Sequence, residues 1–216
     1  MVKIPDGMRE AGKERRRRER RRAIALACHE RLAAEGLAAA TLDDLARDAG
    51  LSKQNLLFYF ADKADLWNEA VVAAAEVLFP VLNRLVEGEA GMRAIRALRR
   101  ALDEVERVLP APLAIWLDGP HLPGATAEQR SRAVLPQTRF LEGLARALAV
   151  PRTPGLAHQR LARFALQSLL SPRREARAHA RSGLVPPISL AAELDWIEAQ
   201  LVALASGLRV LREDRP

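Results

Sequence analysis

Apolar positions return every three or four residues along most of this chain, and strict alternation is absent, so the pattern predicts helices throughout. Ile24, Ala27, Cys28 and Leu32 mark one stripe, which Gly36 is placed to end in a left-handed cap. Thr41 caps a short helix, Leu42 to Ala49, with Asp43 and Asp44 well placed in its first turn and Leu45 and Ala49 on its inner face. Gly50 permits a tight turn, and Ser52 caps a second short helix that opens on Lys53, Gln54 and Asn55. Asp62 caps a long helix over 63–86, which Pro80 is expected to bend. Further helices are predicted over 91–109, 111–118, 125–149, 155–170, 172–182 and 189–211. Ser171–Pro172 and Ser189 read as start signals for the last two. The fold class is therefore all-α. Two short helices joined by a glycine turn, after a longer helix, form a helix-turn-helix module.

The second short helix has an unusual surface. On a helical wheel Leu56 and Phe60 lie together and face the core, while Gln54 and Phe58 point the opposite way. Lys53, Asn55 and Leu57 lie on the flanks. Three of the nine aromatic residues of the chain fall at positions 58–60. Amides, a cation and outward apolar groups suit the major groove of duplex DNA. Gln and Asn pair bidentately with adenine, Lys with guanine, and Leu or Phe packs on thymine methyl groups. Tyr59 and Lys63, at the edges, are placed to reach phosphates.

Charge strengthens this reading. The chain has 216 residues, a net charge of +7 and a pI near 10.6, which calls for an acidic partner. Between Arg9 and Arg22 stand nine lysines and arginines against three glutamates. Seven arginines crowd into Arg15–Arg22, and a polyanion would relieve their repulsion. Residues 1–12, with a proline and two glycines, read as a disordered arm. The single cysteine, Cys28, forms no intrachain disulfide and lies on the buried stripe as a core residue. A polar start and the lack of a long apolar run lead to the expectation of a cytoplasmic protein with no membrane partner. No glycine-rich phosphate loop, GxSxG, HExxH or CxxC occurs, and the histidines lack metal-site spacing. The reading is of a protein without catalytic residues, metal or cofactor. His158 and His179, among arginines, read as solvated.

From Ile24 to Leu66 the chain resembles the TetR family of bacterial transcriptional regulators. The likeness rests on Ala27, Gly36, Thr41, Leu45, Ala46, Ala49, Gly50, Ser52, Leu56, Tyr59, Phe60, Lys63 and Leu66 at the family's spacing. It implies a helix-turn-helix DNA-binding domain over 13–66 and a larger helical ligand-binding and dimerisation domain over 67–216. The family's base-contacting positions fall on Lys53, Gln54 and Leu57, with Phe58 beside them. Its phosphate contacts fall on Thr41, Asn55, Tyr59 and Lys63. Many members carry tyrosine where Leu57 stands, so a hydroxyl contact is replaced by a methyl-reading one. The resemblance also implies a homodimer. Its interface would use residues 155–170 and 189–211, where Leu190, Leu194, Ile197, Leu201, Leu204, Leu208 and Leu211 form one stripe. A small-molecule effector of unknown identity would meet Phe79, Met92, Trp116, His121, Phe140 and Gln167. The expected function is a repressor that releases a palindromic operator when that effector binds. The alternative is a ligand-independent basic protein that binds DNA or RNA structurally.

Overall fold

A computed structural model describes residues 6–119, 122, 124–150, 153–186 and 188–213. Among them ten helices occur and no strand: α1 (Asp6–Ala27), α2 (His29–Ala39), α3 (Leu42–Asp48), α4 (Lys53–Tyr59), α5 (Lys63–Val86), α6 (Met92–Val108), α7 (Pro110–Asp118), α8 (Ala127–Ala149), α9 (Leu156–Arg181) and α10 (Leu190–Glu213). The chain divides into two compact units, Met1–Glu76 with Ala111–Ala133, and Val77–Pro110 with Val134–Pro216. Helix α5 runs without a break through Leu66, where the sequence suggests a domain boundary, and its first half belongs to the N-terminal unit.

In the first unit most of the predicted stripe lies in the core, although Ala27 is exposed. Ile24, Cys28, Leu32, Leu45, Leu56, Phe60, Leu66 and Ala70 are all buried. Thr41 Oγ1 accepts the Asp44 N–H and Ser52 Oγ accepts the Asn55 N–H, so both predicted caps form. Gly36 adopts φ 76° and ψ 173°, a region open only to glycine, and the chain there leaves the α2 helix. Gly50 takes φ 65° in the turn between α3 and α4. Cys28 Sγ donates to the Leu45 carbonyl, and burial pushes the thiol pKa up to about 12, as befits an inert core residue.

Residues 6–12 are helical, where the sequence suggests an arm; residues 1–5 lie outside the described ones. Charged residues one turn apart favour helix here despite Gly7 and Gly12: Lys13 meets Glu10 at 3.7 Å and Arg15 meets Glu19 at 3.8 Å.

In the second unit Ile95, Leu98, Leu102 and Val105 line one side of α6 and are buried. Leu161, Leu166 and Leu169 of α9 and Leu194 and Leu201 of α10 are buried too, with α10 packed on α9 and α6. Helix α9 is continuous through Pro172, where the sequence suggests two helices. The buried Arg173 explains how the helix survives. Its guanidinium donates to the Leu169 carbonyl at 2.6 Å and pairs with Asp103 and with Glu106, both on α6. These bonds hold the turn on both sides of a proline that removes one backbone donor. His158 is buried rather than solvated, and its Nδ1 accepts the Gly155 N–H at the start of α9.

Candidate nucleic-acid interface

Helix α4 is short, and its two sides differ sharply. Leu56 and Phe60 are 0% and 1% exposed, whereas Phe58 is 71% and Leu57 42% exposed. Gln54 and Asn55 are exposed on the same outer surface. A large ring turned to water on a helix with a well-filled inner side is a poor solution for stability alone. Its ring meets that of the half-buried Tyr59 edge-on, centroids 5.2 Å apart, which limits its motion.

Lys53, Lys63 and Thr41 around α4 are already engaged within the protein. Lys53 Nζ lies 2.9 Å from Asp43 in an exposed pair, which is weak and easily exchanged for another anion. Lys63 Nζ donates to the Ala38 and Ala40 carbonyls at 3.1 and 3.0 Å, using two of its three N–H bonds to hold the end of α2. Thr41 also donates to Asp44 at 2.6 Å; that hydroxyl, with Arg47, holds the Asp44 carboxyl below its usual range.

What positions α4 is a side chain that the sequence places among a crowd of like residues. Arg21 of α1 donates to the Tyr59 carbonyl at the end of α4 and lies over the Phe60 ring, 4.4 Å from its centroid. It forks onto Asp65 of α5 at 3.1 and 2.7 Å and approaches Glu69 at 3.8 Å. Asp65 in turn accepts from the Ala61 N–H and from Gln129 of α8. Burial opposes its ionisation, but the Arg21, Ala61 and Gln129 bonds outweigh it and hold its carboxyl below the usual range. Glu69 is almost fully buried, and burial pushes its pKa up despite Arg132 at 3.0 Å and Arg21. Arg132 and Arg22 close the network on Glu76, at 2.9 and 3.0 Å. Sequence reasoning overlooks this network, although a signal exists. Asp65, Glu69 and Glu76, the three acidic residues of α5, share one narrow stripe of the helix.

The ligand-site candidates are dispersed. Phe79 and Phe140 are buried in the second unit and pack together, with centroids 5.7 Å apart. Met92 Sδ accepts from Ser206 at 2.7 Å, and the exposed Gln167 accepts from Arg174 at 3.4 Å. Trp116 is half-buried and belongs to the first unit. His121 lies outside the described residues. Among the described residues no cluster of metal-ligating side chains occurs, and no helix is long and apolar enough to cross a membrane.

The family model for the N-terminal domain of bacterial regulatory proteins of the tetR family matches residues 26–70, which span α2 to α4 and their flanks. No curated protein matches the chain significantly. Several solved structures do. A TetR-family transcriptional regulator from Mesorhizobium loti is 19% identical, with 88% of this chain and 97% of that one covered and a TM-score of 0.56. The regulator FadR from Bacillus subtilis, solved in complex with stearoyl-CoA, is 13% identical over 83% and 96% of the two chains, TM-score 0.60. PfmR, a TetR-family regulator from Thermus thermophilus, is 18% identical over 85% and 97%, TM-score 0.56. At these identities the likeness establishes a shared fold, a helix-turn-helix domain followed by a larger helical one. Residues 26–70 thus match the tetR family of bacterial regulatory proteins, and the chain shares its fold with solved TetR-family regulators.

Proposed function

We propose that this regulator is a homodimeric repressor that binds a palindromic operator through α4 and releases it when a small molecule enters the second unit. The observation that carries the DNA reading is the outer surface of α4: Gln54, Asn55, Leu57 and Phe58 exposed above a filled core. Amides and apolar groups without a free carboxylate favour A·T pairs, because amides match adenine and Leu57 and Phe58 match thymine methyls. Lys53, once released from Asp43, and Asn55, Thr41, Tyr59 and Lys63 supply the remaining base and phosphate contacts.

Dimerisation through α9 and α10 is supported by what these helices leave uncovered. Leu194 and Leu201 are buried within the unit, so the surface available to a partner is the outward part of α10. There Trp196 and Leu204 are exposed, and Phe164 is exposed on α9. A groove of about 290 Å³ lies between them, lined by Phe164, Pro172, Trp196, Ile197 and Leu201. A two-fold dimer presents two reader helices to half-sites about 34–36 Å apart. The effector reading draws support from the likeness to FadR, whose structure holds stearoyl-CoA, and from the apolar candidates Phe79, Met92 and Phe140.

The test is a mobility-shift assay on duplex DNA from the chain's own upstream region, with thymine replaced by uracil in a parallel probe. Binding that weakens without the methyl groups and is lost on addition of a thermal-shift hit supports the reading. Equal affinity for RNA, or no duplex binding, refutes it.

A further inference from the structure

The arginine run of α1 is divided by the fold into two faces. Arg18 pairs with Glu128 at 2.8 Å, Arg21 with Asp65 and Glu69, and Arg22 with Glu76. These three cations fasten α1 to acids of α5 and α8 within the N-terminal unit. At 100° per residue they lie on one side of the helix, and Lys13, Arg16, Arg17 and Arg20 fall within about 100° of arc on another. All four are exposed. Among the described residues Arg16, Arg17 and Arg20 have no ion-pair partner, and Lys13 has only its loose, exposed contact with Glu10. Between Lys13 and Arg20 no carboxylate lies within that arc, since Glu14 and Glu19 fall outside it.

We propose that Lys13, Arg16, Arg17 and Arg20 form a second DNA site on α1, one that follows the phosphate backbone beyond the bases read by α4. The proposal rests on the DNA-binding reading above and extends it. From Lys13 to Arg20 the helix rises about 10 Å. One strand of B-DNA passes about three phosphates over that length of its axis. A stripe of this length, carried on long flexible side chains, is long enough to reach about two or three phosphates. The stripe also has a fixed register with the reader. Arg21, one residue beyond it, bonds the Tyr59 carbonyl at the end of α4, and Arg18 and Arg22 hold the opposite side of α1 in place. A helix already anchored in this way loses little freedom on meeting the backbone.

Other polyanions fit less well. A helix on a membrane surface needs an apolar face, and Lys13–Arg22 contains no apolar residue. Recognition of single-stranded RNA uses stacking rings, and α1 has no aromatic residue.

The test compares the full-length protein with the triple variant Arg16→Gln, Arg17→Gln, Arg20→Gln on one operator duplex, as log Kobs against log salt concentration. Each lost phosphate contact lowers the slope by about 0.9, so the triple variant is expected to lose between about 2 and 3, with its preferred bases unchanged. Arg18→Gln is the control, expected to keep the wild-type slope. An unchanged slope in a triple variant of wild-type circular dichroism and melting overturns the second site while leaving the reader intact. The same holds if the slope changes only with RNA or anionic vesicles. A wild-type protein that binds no duplex at all refutes the regulator reading, and the second site with it.

Discussion

Replacing Arg21 by methionine keeps most of the side-chain volume and removes the charge at the centre of the N-terminal unit. The wild-type guanidinium is 17% exposed and makes a fork onto Asp65, a bond to the Tyr59 carbonyl, a contact with Glu69 and a stacking contact with Phe60. Removing one partner of a buried ion pair costs about 3–5 kcal/mol. Two features place this case at the lower end: Asp65 is 24% exposed, and Glu69, 2% exposed, keeps Arg132 at 3.0 Å. A loss of about 3 kcal/mol is expected, measured as the shift in a urea transition at fixed protein concentration. The acid response should change as well. The Asp65 pKa is depressed in the fold, so its contribution is present at neutral pH and is lost as pH falls below the ordinary carboxylate range. In Arg21→Met that part of the acid sensitivity should shrink. DNA affinity should fall further than the stability loss explains, because the end of α4 is no longer held. A loss under about 1 kcal/mol with wild-type DNA binding would refute the reasoning that Arg21 positions the reader.

Three further outcomes follow from individual contacts. His29 is buried against the Ala70 carbonyl, and burial lowers its pKa to about 4, so stability is full above about pH 6.5 and declines as pH falls toward 4. The loss between about pH 7 and 4.5 should be about 2–3 kcal/mol by urea titration and should be absent from His29→Gln. Lys63→Ala should cost about 1 kcal/mol through the freed Ala38 and Ala40 carbonyls and weaken all duplexes nearly equally, whereas a sequence-selective loss in a mobility-shift assay would contradict a backbone role. Trp196→Glu, at a position 65% exposed in the single chain, should leave circular dichroism unchanged and shift the protein to monomer in sedimentation; an unchanged dimer would place the interface elsewhere.

Local signals make much of the fold legible. Thr41 and Ser52 announce their helices because a hydroxyl satisfies an amide within three residues, a contact that sequence spacing alone specifies. The two sides of α4 are legible for the same reason, since Leu56 and Phe60 are four residues apart. The continuity of α9 is not legible. Ser171–Pro172 carries the start signal, and what overrides it is Arg173 bonded to Asp103 and Glu106, far away in the chain on α6. The anchoring of α1 is hidden too. Arg21 is chemically identical to its neighbours, and only Asp65 and Glu69 of α5, with the Tyr59 carbonyl and the Phe60 ring, distinguish it. Of the α10 stripe that the periodicity suggests, Leu194 and Leu201 are taken up inside the unit while Leu204 stays exposed, a division that spacing alone does not reveal.

The measurement closest to the central claim is selection of bound duplex DNA from a random pool by the wild-type protein and by Gln54→Ala. The wild type should enrich a two-fold symmetric motif whose half-sites contain A·T pairs and are centred one helical turn apart, or a multiple of it. Gln54→Ala should enrich the same motif with one position per half-site relaxed, a change of about 1–3 kcal/mol in base preference there. No enriched motif, or one identical in both proteins, would contradict the assignment of α4 as the helix that reads the operator.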